Sequence, residues 1–147
     1  MARTDFRFST RIRVRYAEID GQAVVFNSRY LEYGDVAITE YWRASGLNTV
    51  NQPRPALEFH VARATVDYKA PIRYDEEIDL YARTLRIGRS SLSTMIEIHG
   101  AAKAPADDLR AVIEIINVSV DLKSGQSCRL PDFVSETLTG YDAGPRT

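Results

Sequence analysis

An acidic side chain stands just ahead of the one long helical pattern in the chain. Asp20 lies within residues 16–30, which lead from a predicted strand into a predicted helix. The first N–H groups of a helix have no partner inside the helix, and they bind negative charge well. A carboxylate and donors for an oxyanion would therefore share one loop, which is a plausible catalytic arrangement.

Hydrophobic periodicity predicts the elements that hold this loop. Residues 8–16 alternate between apolar side chains and arginines, which is the period of a half-buried strand. From Tyr30 to Trp42 apolar side chains recur at helical spacing, with Asn27 or Ser28 as the expected N-cap and Gly46 as the stop. The helix has a broad aromatic face, so we expect it to be buried against a sheet.

The rest of the chain reads as strands joined by short connections. Residues 48–56 predict a loop, residues 56–70 a long strand, and residues 77–87 and 91–99 a hairpin around Gly88. Residues 100–109 predict a loop and residues 110–122 a further strand, and a helical turn or two is expected after Pro131. The order predicts an α+β fold with a mainly antiparallel sheet, whose exposed edges favour a homo-oligomer.

Composition bounds the class of protein. A chain of 147 residues with 44% hydrophobic content fits a single domain spanning residues 1–147. The 19 basic and 20 acidic side chains nearly cancel, which gives no reason to expect nucleic acid or a membrane as partner. Cys128 is the sole cysteine, so we expect no disulfide and no metal site. Residues 1–14 lack an apolar leader core, and a cytoplasmic protein is expected.

Several short segments, in this order, resemble one known family. They are Arg15-Tyr16, Asp20-Gly21-Gln22-Ala23, Val25-Phe26-Asn27, Tyr30, Asp67-Tyr68-Lys69-Ala70-Pro71 and Arg86-Ile87-Gly88-Arg89-Ser90-Ser91. The chain resembles the hotdog-fold acyl-CoA thioesterases, in particular the 4-hydroxybenzoyl-CoA thioesterase-like branch. Two positions differ from the usual pattern: Ala23 stands where the family usually has Gly, and Asn27 stands where some members have His or Tyr.

The resemblance implies a hotdog fold, an antiparallel sheet of five or six strands wrapped around one long central helix. It also implies hydrolysis of an acyl- or aryl-CoA thioester between two subunits of a homodimer or homotetramer, with no cofactor beyond the CoA of the substrate. Asp20 would act as nucleophile or as general base. The amides near Phe26, Asn27 and Ser28 would polarise the carbonyl, and Asn27 would orient the carbonyl or water.

Other side chains are weaker candidates. The hairpin residues Arg86, Arg89 and Ser90 are expected to bind the CoA phosphates, and Tyr33 to line an acyl or aryl pocket. Two alternatives stay open: a hydratase or dehydratase that uses His60, and a module that binds acyl-CoA without cleaving it.

Strand parity and position place the remaining candidates. Glu58 and His60 share a strand parity that predicts a position facing the helix and the pocket. His99, at a strand end, is expected to be solvated. Asp35 on the helix is a reserve carboxylate, because related hotdog enzymes place theirs on that helix.

Overall fold

The part of the chain that the structure describes forms one sheet and two helices. A computed structural model describes residues 2–47 and 58–145, so the predicted loop at residues 48–56 lies outside the described residues. Three short 3-10 turns accompany the main elements: Arg3–Asp5 precedes the first strand, and Tyr16–Glu18 and Ala101–Lys103 lie in connections. These elements are β1 (Phe8–Arg13), α1 (Arg29–Ser45), β2 (Glu58–Tyr68), β3 (Glu77–Ile87), β4 (Ser91–Gly100), β5 (Leu109–Val120) and α2 (Asp132–Asp142).

The sheet has five strands in the order β1-β3-β4-β5-β2, and every neighbouring pair is antiparallel. β1 and β2 are the edge strands. β1 covers only the first half of β3, because their pairing runs from Arg13 opposite Glu77 to Phe8 opposite Ala82. A register shift interrupts β2 between Val61 and Arg63, and another interrupts β3 between Thr84 and Arg86. The predicted antiparallel α+β architecture is confirmed.

Helix α1 packs closely on one face of the sheet. Its buried positions recur at helical spacing: Tyr30, Tyr33, Gly34, Ala37, Ile38 and Tyr41. At Gly34 an added Cβ would lie 3.4 Å from Ile115 and 3.5 Å from Ile113, which are ordinary contact distances, so the helix backbone lies close to β5 here. The predicted stop is confirmed: Gly46 has φ +87°, which lets the N–H of Leu47 return to the carbonyl of Trp42 at 2.9 Å.

The opposite face of the sheet carries a buried polar cluster beneath the N-terminal segment. The expectation that His99 is solvated was wrong, because its side chain is only 1% exposed. Asp108 donates its N–H to Nδ1 of His99 at 3.0 Å, so the ring proton lies on Nε2, 3.0 Å from Glu97. Arg3 seals this cluster with hydrogen bonds to Asp79, Tyr81 and the carbonyl of Gly100.

Two element lengths differ from the sequence prediction. β1 ends at Arg13 rather than at residue 16, since the chain leaves the sheet and forms the 3-10 turn Tyr16–Glu18. Tyr16 is consequently 76% exposed instead of facing the core. The C-terminal helix has 11 residues rather than a turn or two, because Val134 and Leu138 are fully buried in the core and extend its packing.

Arg110 at the start of β5 joins two carboxylates. It donates to Glu76 and to Asp108, each at 2.9 Å, and also to the carbonyl of Pro71. The hydrogen bonds from Arg110 are the largest cause that holds the pKa of Glu76 and of Asp108 below the usual carboxyl range. Because the unfolded chain binds these protons more tightly, their stabilisation is present above that range and is lost as pH falls through the lowered pKa values.

We therefore predict that Arg110→Gln lowers the free energy of unfolding at neutral pH by about 2 kcal/mol. It should also flatten the loss of stability between about pH 5 and about pH 3, since the two carboxyl pKa values return toward normal. Urea unfolding across that range measures both effects. Arg13→Gln is the matched control, because Arg13 pairs with Asp75 and Glu77 on the surface. The prediction is wrong if the two variants lose equal stability.

Candidate active site

Asp20 opens a tight turn that its own backbone closes. Its N–H donates to the carbonyl of Val24 at 2.9 Å, and its carbonyl accepts from Ala23 at 3.0 Å. The side chain is half-buried, and Oδ1 accepts the N–H of Gln22 at 2.8 Å. Oδ2 has no hydrogen bond within residues 2–47 and 58–145. One carboxylate oxygen is thus fixed by the turn, and the other is available to a reactant.

The turn is held against the chain segment that leads into β3. Val25 donates its N–H to the carbonyl of Ile72 at 2.8 Å, and Tyr74 donates its N–H to the carbonyl of Ala23 at 3.1 Å. A further bridge pairs Val24 with Arg73. Residues 23–25 are therefore bonded to residues 19 and 20 on one side and to residues 72–74 on the other, which holds Asp20 in place.

Only two of the three amides predicted to bind an oxyanion are available. Phe26 donates its N–H to the carbonyl of Glu18 at 2.9 Å, so this donor is occupied and its predicted role was wrong. The amides of Asn27 and Ser28 have no acceptor among the described residues. Ser28 precedes α1 as the N-cap, but its hydroxyl makes no capping bond to the described chain. These two amides are therefore the donors that the helix start offers to a ligand.

Sequence reasoning missed a second acid in this loop. The side chain of Glu18 is buried and accepts hydrogen bonds from the backbone and guanidinium of Arg15 and from the hydroxyl of Tyr33. Burial raises its pKa, but the hydrogen bonds outweigh burial, and the net pKa lies below the usual value. The one signal in the sequence was the basic and acidic pair at i and i+3, Arg15 and Glu18.

Exposed aromatic side chains surround the turn. The four large aromatic side chains exposed within the described residues are Tyr16, Phe26, Tyr68 and Tyr74. Tyr16 and Tyr74 meet edge to face with ring centroids 5.7 Å apart. Tyr68 donates its hydroxyl to the carbonyl of Asn27 at 2.8 Å. The acid and the free amides therefore lie in an aromatic surround, which suits an apolar or flat substrate group.

Tyr33 is almost fully buried near the start of α1. Its side chain is 2% exposed, and burial raises the pKa of its hydroxyl, which donates to Glu18 at 3.0 Å. Tyr33 nevertheless lines a cleft of about 270 Å³ between β1 and α1, together with Ile12 and Val36 among others. Whether this cleft takes an acyl or aryl group stays a prediction.

The predicted orientation of Glu58 and His60 was wrong. Phe59, between them, packs on Trp42 of α1 with ring centroids 5.2 Å apart, so its two neighbours face away from the helix. His60 is exposed. Val66 packs on the core, so strict alternation along β2 would turn His60 toward the core as well. The register shift between Val61 and Arg63 adds one residue to β2 and reverses that alternation.

The hairpin residues lie far from the Asp20 turn within one chain. Arg86 lines a cleft of about 420 Å³ between β3 and α2, and its guanidinium has no ionic partner among the described residues. The carbonyls of Arg89 and Ser90 accept from Leu130 and Ser119, each at 2.8 Å, which fixes the turn. The Asp20 turn precedes β3 and the hairpin follows it, so the two lie roughly 30 Å apart along the strand.

The described residues show neither a cluster of metal-binding side chains nor a helix that could span a membrane. Within the described ranges, no three His, Cys, Asp or Glu side chains lie together as a metal ion would require. Neither helix of the described chain is long and apolar enough to cross a membrane.

A five-stranded antiparallel sheet with one long helix on its face defines a hotdog-fold protein. The model of the Thioesterase-like superfamily matches residues 14–138, and the chain belongs to that family. The family and its structural neighbours support a thioester hydrolase as the general class of activity.

Known proteins resemble the chain over most of its length. A putative esterase from Aquifex aeolicus (strain VF5) is 29% identical over 133 residues, 89% of this chain and 97% of the relative. A thioesterase from Thermus thermophilus, solved with coenzyme A and Zn, is 25% identical with TM-score 0.79, covering 96% and 98% of the two chains. A 1,4-dihydroxy-2-naphthoyl-CoA thioesterase from Synechocystis has TM-score 0.81 at 19% identity, covering 93% and 98%, and this likeness shows the fold.

Ala23 generates a prediction about the turn. It has φ +60°, in the region that glycine adopts without a Cβ penalty, and it occupies the position where the family usually has Gly. We predict that Ala23→Gly raises the free energy of unfolding by up to about 1 kcal/mol. Gly21→Ala is the control, since a Cβ at Gly21 meets nothing within 4 Å and should change stability little. A loss of stability in Ala23→Gly, measured by thermal unfolding, would contradict this interpretation.

Proposed function

We propose that this protein hydrolyses an acyl- or aryl-CoA thioester to the free acid and CoA. The observation that carries the proposal is that one loop, residues 20–28, holds both a carboxylate oxygen and two helix-start amides without a hydrogen-bond partner in the described chain. The amides of Asn27 and Ser28 would bind the oxygen of the thioester carbonyl as it becomes an oxyanion. The surrounding aromatic side chains would exclude water from the acyl or aryl group.

Asp20 has two chemically balanced routes. In the first, Oδ2 attacks the carbonyl carbon, the C–S bond breaks, and the CoA thiolate leaves and takes a proton from water. Water then cleaves the resulting mixed anhydride and regenerates the carboxylate. In the second, Oδ2 takes a proton from a water molecule that attacks the carbonyl directly; the tetrahedral intermediate then collapses, the C–S bond breaks, and the leaving CoA thiolate takes the proton from Asp20. The side-chain amide of Asn27 cannot transfer a proton and would orient the carbonyl or the water. Neither route needs a cofactor beyond the CoA of the substrate.

The proposed site is formed by two copies of the chain. Asp20 and the phosphate-binding candidates Arg86, Arg89 and Ser90 lie at opposite ends of β3, so one extended CoA molecule is better placed across two subunits than along one. The outer edges of the sheet, at β1 and β2, favour such association, as a dimer or as a dimer of dimers. The near balance of charge favours no nucleic acid as partner.

The structure weakens one alternative. A hydratase or dehydratase that uses His60 would need the imidazole near the helix start, but His60 is exposed on the other face of the sheet. A module that binds acyl-CoA without cleaving it remains the second candidate. Binding without cleavage would appear as a ligand-dependent rise in Tm with no release of free CoA.

We predict that Asp20→Asn lowers kcat for the best acyl- or aryl-CoA by about a thousandfold. The reason is that the amide can neither attack the carbonyl nor accept a proton, while the turn keeps its hydrogen bond from Gln22. A thiol-release assay over short, long and aromatic acyl-CoAs measures the effect. Asp35→Asn runs in parallel and should retain activity. Loss of activity in Asp35→Asn alone would place the working carboxylate on the helix instead.

The phosphate-binding role of the hairpin has its own prediction. Arg86→Ala and Arg89→Ala should each raise KM for the acyl-CoA about fivefold, because each guanidinium would lose a charge-assisted bond to phosphate. Neither should change KM for the same acyl group on pantetheine, which lacks the nucleotide phosphates. Arg129→Ala is the control, since this exposed arginine near the hairpin pairs with Asp132. An acyl-CoA KM that stays at the wild-type value in both the Arg86 and the Arg89 variant would remove the hairpin from the site.

A further inference from the structure

We infer that Glu18 is a positioning residue that sets the Asp20 turn at a fixed place relative to the free amides of Asn27 and Ser28. This inference rests on the proposed function, because it concerns the geometry of that site. Glu18 itself faces the interior and does not touch the reacting atoms; it would act through the turn that carries Asp20.

The side chain of Glu18 ties the loop to the helix. Its Oε1 accepts the N–H of Arg15 at 2.8 Å and the hydroxyl of Tyr33 at 3.0 Å. Its Oε2 accepts from the Arg15 guanidinium at 3.1 Å and 3.3 Å. Tyr33 lies one turn beyond the first residue of α1, Arg29. The residue two positions before the acid is therefore bonded to α1, the helix whose start carries the free amides.

The backbone of the same residue closes the loop. The carbonyl of Glu18 accepts the N–H of Phe26 at 2.9 Å, and Asn27 follows at once with its free amide. The segment from Glu18 to Phe26 is thus pinned at its two ends by one residue, and Asp20 lies inside it. A shift of Glu18 would move both the acid and the amides that must act on the same carbonyl.

Hydrogen bonds keep the Glu18 side chain charged although it is buried. Glu18 is only 5% exposed, and burial alone would raise its pKa. The hydrogen bonds from Arg15 and Tyr33 lower the pKa by more, so the side chain remains a carboxylate with strong acceptor oxygens. A buried carboxylate with this many donors has little freedom to change rotamer, which suits a group that must hold geometry.

The chain offers a matched pair of variants that separates positioning from stability. Tyr33→Phe removes the hydroxyl bonded to Glu18. Tyr41→Phe removes the hydroxyl of another buried tyrosine on the same helix, which donates to the carboxylate of Asp142 at 2.8 Å. Tyr41→Phe should lower Tm at least as much as Tyr33→Phe does, because the Tyr41 hydroxyl also bonds Thr84. Only Tyr33→Phe should lower kcat, by about tenfold, with KM within about twofold, because a small misplacement of a reacting group is costly in rate.

Conservative replacement of Glu18 provides a second measurement. Glu18→Gln keeps an oxygen acceptor for Tyr33 and for the N–H of Arg15, whereas Glu18→Leu keeps none. We expect Glu18→Gln to retain a larger share of kcat than Glu18→Leu does, at a Tm closer to wild type. Equal kcat values in Tyr33→Phe and Tyr41→Phe would overturn the inference, and so would a Tyr33→Phe variant that changes KM alone.

Hydrogen exchange separates failure of this inference from failure of the proposed function. If the wild type cleaves no thioester, the proposed function fails, and exchange at the amides of Ala23 and Phe26 still reports on the positioning by Glu18. These amides are hydrogen-bonded in the turn and should exchange faster in Tyr33→Phe than in Tyr41→Phe. Equal exchange in the two variants overturns the positioning role whatever the activity.

Discussion

The close packing of α1 on the sheet is the constraint on which the rest of the structure depends. The helix presents an almost continuous aromatic and aliphatic stripe that water disfavours, and the sheet offers an apolar surface that can cover it. At Gly34 the helix backbone lies so close to the sheet that an added Cβ would contact Ile113 and Ile115. Once this contact is made, the axis of the helix is fixed, and its first turn must emerge beside the end of β1. The free amides of Asn27 and Ser28 are a consequence of where the core puts the helix.

The loop before the helix carries Asp20 and contains two features that are unfavourable by themselves. Ala23 adopts a left-handed conformation that disfavours a Cβ, and Glu18 brings a charge into the interior. Both features are offset by contacts: the backbone bonds to Ile72 and Tyr74, and the donors from Arg15 and Tyr33. Local rules alone would favour neither residue. A loop that contains both Ala23 and Glu18 is typical of a segment whose geometry serves a site more than it serves stability.

Features that depend on residues close together in the sequence could be predicted, and features that depend on contacts between distant residues could not. The strand and helix patterns, the Gly46 stop and the antiparallel order depend on periodicity within one element, and these predictions agree with the structure. His60 and His99 were misplaced because their environments depend on distant chain. An extra residue in β2 reverses the parity around His60, and the N-terminal segment returns across the sheet to bury His99 under Arg3. Glu18 was overlooked for the same reason, since its importance depends on Tyr33, fifteen residues later.

The distance between the acid turn and the hairpin bears on why the site would need a second copy. β3 is a rigid antiparallel strand with the Asp20 turn docked before its first residue and the hairpin arginines, Arg86 and Arg89, near its last. Packing fixes that separation, so no loop movement in one chain can bring the two ends together. An antiparallel arrangement of two copies would set the hairpin of one beside the helix start of the other. Association of two copies would then supply the phosphate-binding half of the site, and the second copy would cover the aromatic side chains exposed around Asp20.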